Sequence, residues 1–229
     1  MTTVYYIIGT NRLGEAFAEL VELLPPVRRQ KAESYKKEED KCMSLAAYFL
    51  LLYGLERKRH KYTDLSPSYN SWGKPYFTRS CGVHFNLSHS GCAVACALSE
   101  DAVGVDIQGI LRIKDSVLKK VCSDEERWRI KVSINPEIDF TRLWTMKESY
   151  LKAVGKGITE PLAGVNFMDD SKTDAYRDGY FLSTCITEDY AVTVCCREKA
   201  DIPFVKVTFD EVLDFAGSGL DLRSKLGEF

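Results

Sequence analysis

The chain of 229 residues is predicted to fold as an α+β protein, because its helical and β-rich runs come in blocks and not in a regular β-α-β alternation. Three observations carry this. Residues 27–53 read mainly as helix, residues 83–98 read as two strands about a short turn, and residues 141–154 form a second helical stretch followed by four more β-rich runs. At 45% hydrophobic and 28% charged, the chain can bury one sizeable core or two small ones.

The elements follow in order. Residues 4–8 are a compact β-rich run, and residues 13–24 place Phe17, Leu20, Val21 and Leu24 on one helical side before Pro25 and Pro26 end the pattern. From residue 27 a charged segment, RRQKAESYKKEEDK, runs into the apolar MSLAAYFLLLYGL, whose density of large side chains predicts deep burial; Gly54 and the basic ERKRHK close it. A loop containing Ser66, Pro67, Ser68, Asn70, Gly73 and Pro75 precedes strands at 83–88 and 92–98, joined by the turn HSG. A third strand is predicted at 103–107, helix at 115–131 with Ser123 capping EERWRIKV, and β-rich runs at 162–168, 178–186, 190–196 and 203–209.

Composition and charge narrow the functions to expect. A net charge of -2 and a pI near 6.0 do not favour nucleic acid, whose backbone demands clustered positive charge. The start, MTTVYYIIGT, lacks a cationic leader pattern, and the longest apolar stretch, LAAYFLLLYGL, is too short to span a bilayer, so a cytoplasmic protein without membrane contact is expected. Eight cysteines without a CxxC pair, beside only His60, His84 and His89, read as reduced core thiols and not as a zinc site.

Three segments carry residues suited to chemistry. In VGVDIQ, residues 103–108, the period of two puts Val103, Val105 and Ile107 on one face and Gly104, Asp106 and Gln108 on the other, the last two roughly 7 Å apart at their Cα atoms. That polar face suits either an oxygen-ligand metal site or plain solvent. FNLSHSG, residues 85–91, turns Phe85 and Leu87 inward and Asn86 and Ser88 outward, with His89 and Ser90 at the hairpin tip; these are anion-binding types, yet a Ser/Gly turn needs no ligand to exist. In WTMKESYLKAVGKG, residues 144–157, Leu143, Met146, Tyr150 and Val154 form the core stripe while Trp144, Glu148 and Lys152 share another. Glu148 and Lys152 stand four apart, an arrangement that on a surface contributes only about 0.3 to 0.5 kcal/mol. Lys147 and Lys156 add charge, and Gly155 and Gly157 allow the chain to turn sharply.

FNLSHS, GVDIQ and WTMKESYLKAVGKG, in that order and with WGKP at residues 72–75 before them, resemble the Sfp-type 4′-phosphopantetheinyl transferases, from about residue 25 to 157 and more loosely to 209. The resemblance implies a pseudo-twofold pair of similar α+β halves, taken as residues 1–110 and 111–229, with the active site in the cleft between them. It implies a monomeric enzyme that binds coenzyme A as substrate together with Mg²⁺. It also implies transfer of the 4′-phosphopantetheine group to a serine of an apo acyl, peptidyl or aryl carrier protein in fatty acid, polyketide or nonribosomal peptide biosynthesis, with release of adenosine 3′,5′-bisphosphate.

Residue by residue, the resemblance makes Asp106 and Glu148 metal ligands with Gln108 beside them, and Asp106, Glu148 and Lys152 the catalytic set. Glu148 is a ligand or a general base for the attacking serine, and Lys152 is aimed at the diphosphate. Ser88 and His89 match contacts to coenzyme A phosphates, Gly73 and Lys74 the loop at adenine and ribose, Arg28 and Lys31 the basic residues around the nucleotide, and Glu125 an acidic position near the site. Trp144 and Lys147 match the motif, Trp144 as a buried support of the helix or as a ligand contact. Two departures stand out: Gln108 where many members have a second acid, and Met43 where many have an arginine for the 3′-phosphate, leaving Arg28, Lys31, His89 or Lys41 to hold it. They also leave open a binding module without catalysis.

Overall fold

In the computed structural model, which describes residues 1–10, 18, 20–59, 67–77, 82–155, 157, 161–167, 174–199 and 201–217 (backbone alone at 213 and 217), strand β1 (Thr3–Ile8) is buried almost throughout. Its alternate side chains meet two layers: Tyr5 and Ile7 enter a core under helix α2 (Glu38–Arg57), and Val4 and Tyr6 enter a core between two sheets. Helix α1 (Pro26–Glu33) is separated from α2 by an extended Lys37, so the helical stretch expected over 27–53 is two helices. The physical cause is patterning: α1 buries only Ala32, whereas every residue from Cys42 to Leu55 is buried, and Glu38, Glu39 and Asp40 favour a new helix start.

A small hairpin of β2 (Pro67–Tyr69) and β3 (Pro75–Phe77) stands where the sequence reads as loop. Next come β4 (His84–Ser90) and β5 (Ala93–Ser99), which pair antiparallel, so His89 and Ser90 end a strand and the turn is Gly91–Cys92. The following elements are β6 (Val103–Gly109), α3 (Asp115–Val121), α4 (Asp124–Lys131), α5 (Pro136–Val154), β7 (Asp174–Arg177), β8 (Tyr180–Ile186), β9 (Tyr190–Cys196), β10 (Phe204–Lys206) and α6 (Phe209–Gly217). Ser123 caps α4 through a full capping box with Glu126, which splits the helix expected over 115–131. Leu162–Gly164 is a 3₁₀ turn following Pro161 and not a strand, and the run at 203–209 is a three-residue strand leading into α6.

The strand order is β10-β1-β5-β4 in one sheet and β6-β9-β8-β7 in the other. One connectivity appears twice: a first strand, helices, then a hairpin whose last strand pairs antiparallel with the first. The two similar α+β halves are legible in that repeat. The change of sheet falls between β5 and β6, so β6, placed in 1–110 on sequence, hydrogen-bonds within the second sheet. At the other end β10 pairs parallel with β1, and Phe215 of α6 packs on Tyr53 at 5.7 Å.

The sheets pack face to face through Ala93, Ala95 and Ala97 against Val103, Val105, Ile107, Val192 and Val194, with α2 and α5 on the outer faces. Small alanines allow this approach, and burial on both sides explains the unbroken apolar strands. Cys42, Cys96, Cys122, Cys195 and Cys196 are buried free thiols. No helix among the described residues is long and apolar enough to cross a membrane. Residues 13–17 and 19 of the helix expected at 13–24, together with His60, Ser66, Lys156 and residue 168, lie outside the described residues.

Candidate active site

The site begins with a glycine. A methyl group on Gly104 would lie 2.0 Å from the Ser149 carbonyl oxygen and 2.4 Å from the Ala153 amide nitrogen, so the residue allows α5 to lie directly against β6. The face of β6 that the sequence offered to solvent is covered by a helix, and Asp106 on it is buried. Thr193, its cross-strand neighbour, links onward to Thr145 of α5 at 2.7 Å and Thr184 of β8 at 2.9 Å, which ties helix and sheet together behind the aspartate.

The outer edge of β6 carries no ladder to β4 among the described residues, and side chains replace it. Asn86 Oδ1 accepts from the Val105 N–H at 2.8 Å and Ser88 Oγ from the Ile107 N–H at 3.4 Å, which satisfies buried donors that must find a partner. Asn86 and Ser88, expected to point outward, are therefore buried at the seam between the sheets. Ser88 Oγ also donates to Asp106 Oδ1 at 2.7 Å. The alternation of FNLSHS was legible in the sequence; that its polar face meets a strand edge was not.

Lys152 closes the cluster. Its Nζ donates to Asp106 Oδ1 at 2.6 Å and to Ser88 Oγ at 2.9 Å, so it crosses to β6 instead of forming the helical pair with Glu148 that spacing suggested. Glu148, one turn earlier on α5, is half-buried, and burial first, then the neighbouring Asp106, push its carboxyl above the usual range, against the pull of Lys152. Two carboxylates in each other's field beside a single ammonium form a hard, oxygen-donor set. No group of three His, Cys, Asp or Glu side chains converges among the described residues. Gln108, next on the same face, turns its amide to the Gly109 carbonyl at 3.4 Å.

Two hollows flank the cluster, each of about 200 Å³, with Pro75 lining both. One contains Glu148, Lys152, Asn86, Trp72, Gly73 and Lys74 in its wall. The other is lined by Arg28, Lys31, Tyr35, Tyr48, Tyr69 and His89 among others. Arg28 donates to the carbonyl and hydroxyl of Ser44 and lies over the Tyr48 ring at 5.1 Å, while Lys31 reaches the Tyr69 hydroxyl at 2.6 Å. Of the sequence-selected residues, Arg28, Lys31, Gly73, Lys74, Ser88, His89, Asp106, Glu148 and Lys152 fall on these walls or the seam, and others do not. Glu125 is exposed and paired with Arg129 at 2.7 Å, Lys41 pairs with Glu38 at 2.6 Å, and Met43 is buried in the first core.

Sequence reasoning missed the anchor of α5. Lys147 is fully buried and donates to the Val121 carbonyl at 2.8 Å, Glu126 Oε2 at 2.6 Å and the Leu162 carbonyl at 3.0 Å, while Trp144 packs near Phe140 at 6.3 Å. A lysine between buried positions on a core helix was the available signal, and the capping-box glutamate was its available partner.

Comparison with known proteins supplies relatives. The 4′-phosphopantetheinyl transferase superfamily matches residues 102–195. The 4′-phosphopantetheinyl transferase ffp of Bacillus subtilis is 30% identical over 194 residues, covering 80% of this chain and 86% of that protein. The 4′-phosphopantetheinyl transferase Sfp of Bacillus subtilis strain 168 is 27% identical over 205 residues, covering 84% and 91%. Among solved structures, that of Thermotoga maritima holo-[acyl-carrier-protein] synthase gives a TM-score of 0.35 at 19% identity, covering 44% of this chain and 66% of that one.

Proposed function

Because the chain belongs to the Sfp-type 4′-phosphopantetheinyl transferases, we propose that it takes the phosphopantetheine group from coenzyme A, at the seam between its two sheets, and attaches it to a serine of an apo carrier protein. The observation that carries this reading is the meeting of Asp106, Ser88 and Lys152 from three elements, with Glu148 one helical turn away. In the proposed step the serine oxygen bonds to the β-phosphorus, the bond from that phosphorus to the bridging oxygen breaks, and adenosine 3′,5′-bisphosphate leaves with that oxygen. Glu148, whose carboxyl burial and then the neighbouring Asp106 push above the usual range, takes the serine proton. Lys152 bears on the charge that grows on the leaving diphosphate. Arg28, Lys31 and His89 hold the nucleotide phosphates, with Arg28 presented by Ser44 in place of an arginine at position 43.

Asp106 and Glu148 would hold Mg²⁺, with Gln108 beside them. When bound, the ion neutralises and orients the diphosphate. The test is intact-mass spectrometry of an apo carrier protein incubated with the enzyme, coenzyme A and Mg²⁺. A gain of one phosphopantetheine supports the reading, and an unmodified carrier across several carrier classes contradicts it.

Lys152 now occupies the oxygen that a cation would take. Lys152→Ala is expected to slow transfer more than tenfold at saturating coenzyme A, yet to tighten Mg²⁺ binding to the free protein roughly tenfold, the effect of about 1.4 kcal/mol of relieved competition. Calorimetric titration without coenzyme A checks this, and unchanged or weaker binding refutes the competition. At Gln108, a neutral amide lacks charge assistance on the order of 1 kcal/mol. Gln108→Glu is accordingly expected to lower the Mg²⁺ concentration for half-maximal transfer about fivefold, with little change at saturating metal. Superimposable titrations of the two proteins would place residue 108 outside the metal's surroundings.

A further inference from the structure

The loop between β2 and β3 carries WGKP, matched on sequence to the border of adenine and ribose, but its lysine is turned the other way. Lys74 Nζ donates to the carbonyls of Lys152 at 2.5 Å, Val103 at 3.0 Å and Ala153 at 3.4 Å. The neighbouring Asn70 donates from Nδ2 to the Gly155 carbonyl at 3.0 Å, while its Oδ1 accepts the Trp72 and Lys74 N–H groups at 3.0 and 2.9 Å. One asparagine thus holds the loop in shape and, with the lysine, meets carbonyls of the last turn of α5, which a helix leaves unpaired at its negative pole. Contact is close: a methyl on Gly155 would lie 3.5 Å from Lys74 Cδ and 3.6 Å from Asn70 Nδ2, and one on Gly157 3.5 Å from the Trp72 ring.

We propose that Lys74 is a positioning residue, clamping the end of α5 and the start of β6 to the β2–β3 loop and so fixing the height of Lys152 over Asp106, instead of binding coenzyme A itself. Its three ammonium hydrogens are spent on three backbone carbonyls, one of them belonging to Lys152. Burial, which pushes the ammonium down to about 8, makes such carbonyl contacts the condition for keeping a charge there. The clamp joins the nucleotide-side loop to the helix bearing Glu148 and Lys152, and a misplacement of about 1 Å at a reacting centre can cost on the order of a hundredfold in rate.

The inference rests on transfer from coenzyme A, which the wild-type assay tests by itself: if wild type does not transfer, that reading fails, and if it does, only the clamp is at stake. The experiment compares Lys74→Met and Asn70→Ala with wild type, measuring the equilibrium dissociation constant for coenzyme A and the maximal rate at saturating substrates, each rate corrected for folded fraction by circular dichroism. The expected result is a fall in maximal rate of roughly thirtyfold to a hundredfold for Lys74→Met and a smaller fall for Asn70→Ala, with the dissociation constant within about twofold in both. A tenfold weaker dissociation constant with the maximal rate kept would show that Lys74 acts on the nucleotide. A rate loss that vanishes after correction for folded protein, or no change in either variant, overturns the clamp equally.

Discussion

Asp106→Ala and Glu148→Gln should each lower the rate of phosphopantetheine transfer a hundredfold or more, roughly 2.7 kcal/mol of lost transition-state stabilisation, while the protein remains folded. The two variants fail differently. Glu148→Gln preserves shape and removes only charge, so its loss isolates the carboxylate as base and cation partner. Asp106→Ala removes the acceptor of both Ser88 and Lys152, and so frees the lysine from the seam. Steady-state assays across a Mg²⁺ series, with melting curves on the same samples, provide the check. A near-normal rate in either variant at saturating metal refutes the site.

The largest effect on stability is expected at Lys147. Lys147→Met keeps the bulk of the side chain but leaves Glu126, the Val121 carbonyl and the Leu162 carbonyl without their shared donor in a buried place. Removing one member of a buried ion pair costs about 3 to 5 kcal/mol, because the remaining charge stays desolvated. Adding Glu126→Gln to Lys147→Met should then cost less than the sum of the single changes, since the orphaned charge goes with it. Urea unfolding of the two single variants and the double variant measures this. A loss under about 1 kcal/mol for Lys147→Met contradicts an anchoring role.

Much of the site was legible because chemistry and spacing sit together in short stretches. Asp106 and Gln108 share a strand face by the period of two, and Glu148 and Lys152 lie one helical turn apart. Less legible was what each face would meet. Spacing alone pairs Glu148 with Lys152, but the tight seat of α5 on Gly104 gives the lysine a nearer and more buried carboxylate in Asp106. Asn86 and Ser88 read as solvent-facing because alternation defines two faces and does not say which is covered. Only the unpaired edge of β6 explains their burial. Lys74 is the same lesson in reverse: its motif matches a loop at adenine and ribose, while its ammonium meets the negative pole of a helix end.

The break between α1 and α2 and the hairpin at Pro67–Tyr69 and Pro75–Phe77 escaped the sequence for a different reason. Both are decided by what the segments pack on: α2 is apolar all round and α1 is not, and a three-residue strand has too few positions to show a period. The halves share topology and strand order more than residue pattern, so their likeness came from the family resemblance and not from a repeat in the residues.

In the proposed site Asp106 and Glu148 would share one cation with the diphosphate of coenzyme A at the seam between the sheets. Anomalous diffraction from crystals grown with coenzyme A and Mn²⁺ in place of Mg²⁺ tests it directly. One strong anomalous peak is expected within bonding distance of carboxylate oxygens from both residues and of diphosphate oxygens, with Lys152 turned from Asp106 toward the diphosphate. Bound coenzyme A with the manganese elsewhere, or with Lys152 still on Asp106 and no manganese at the seam, would contradict it.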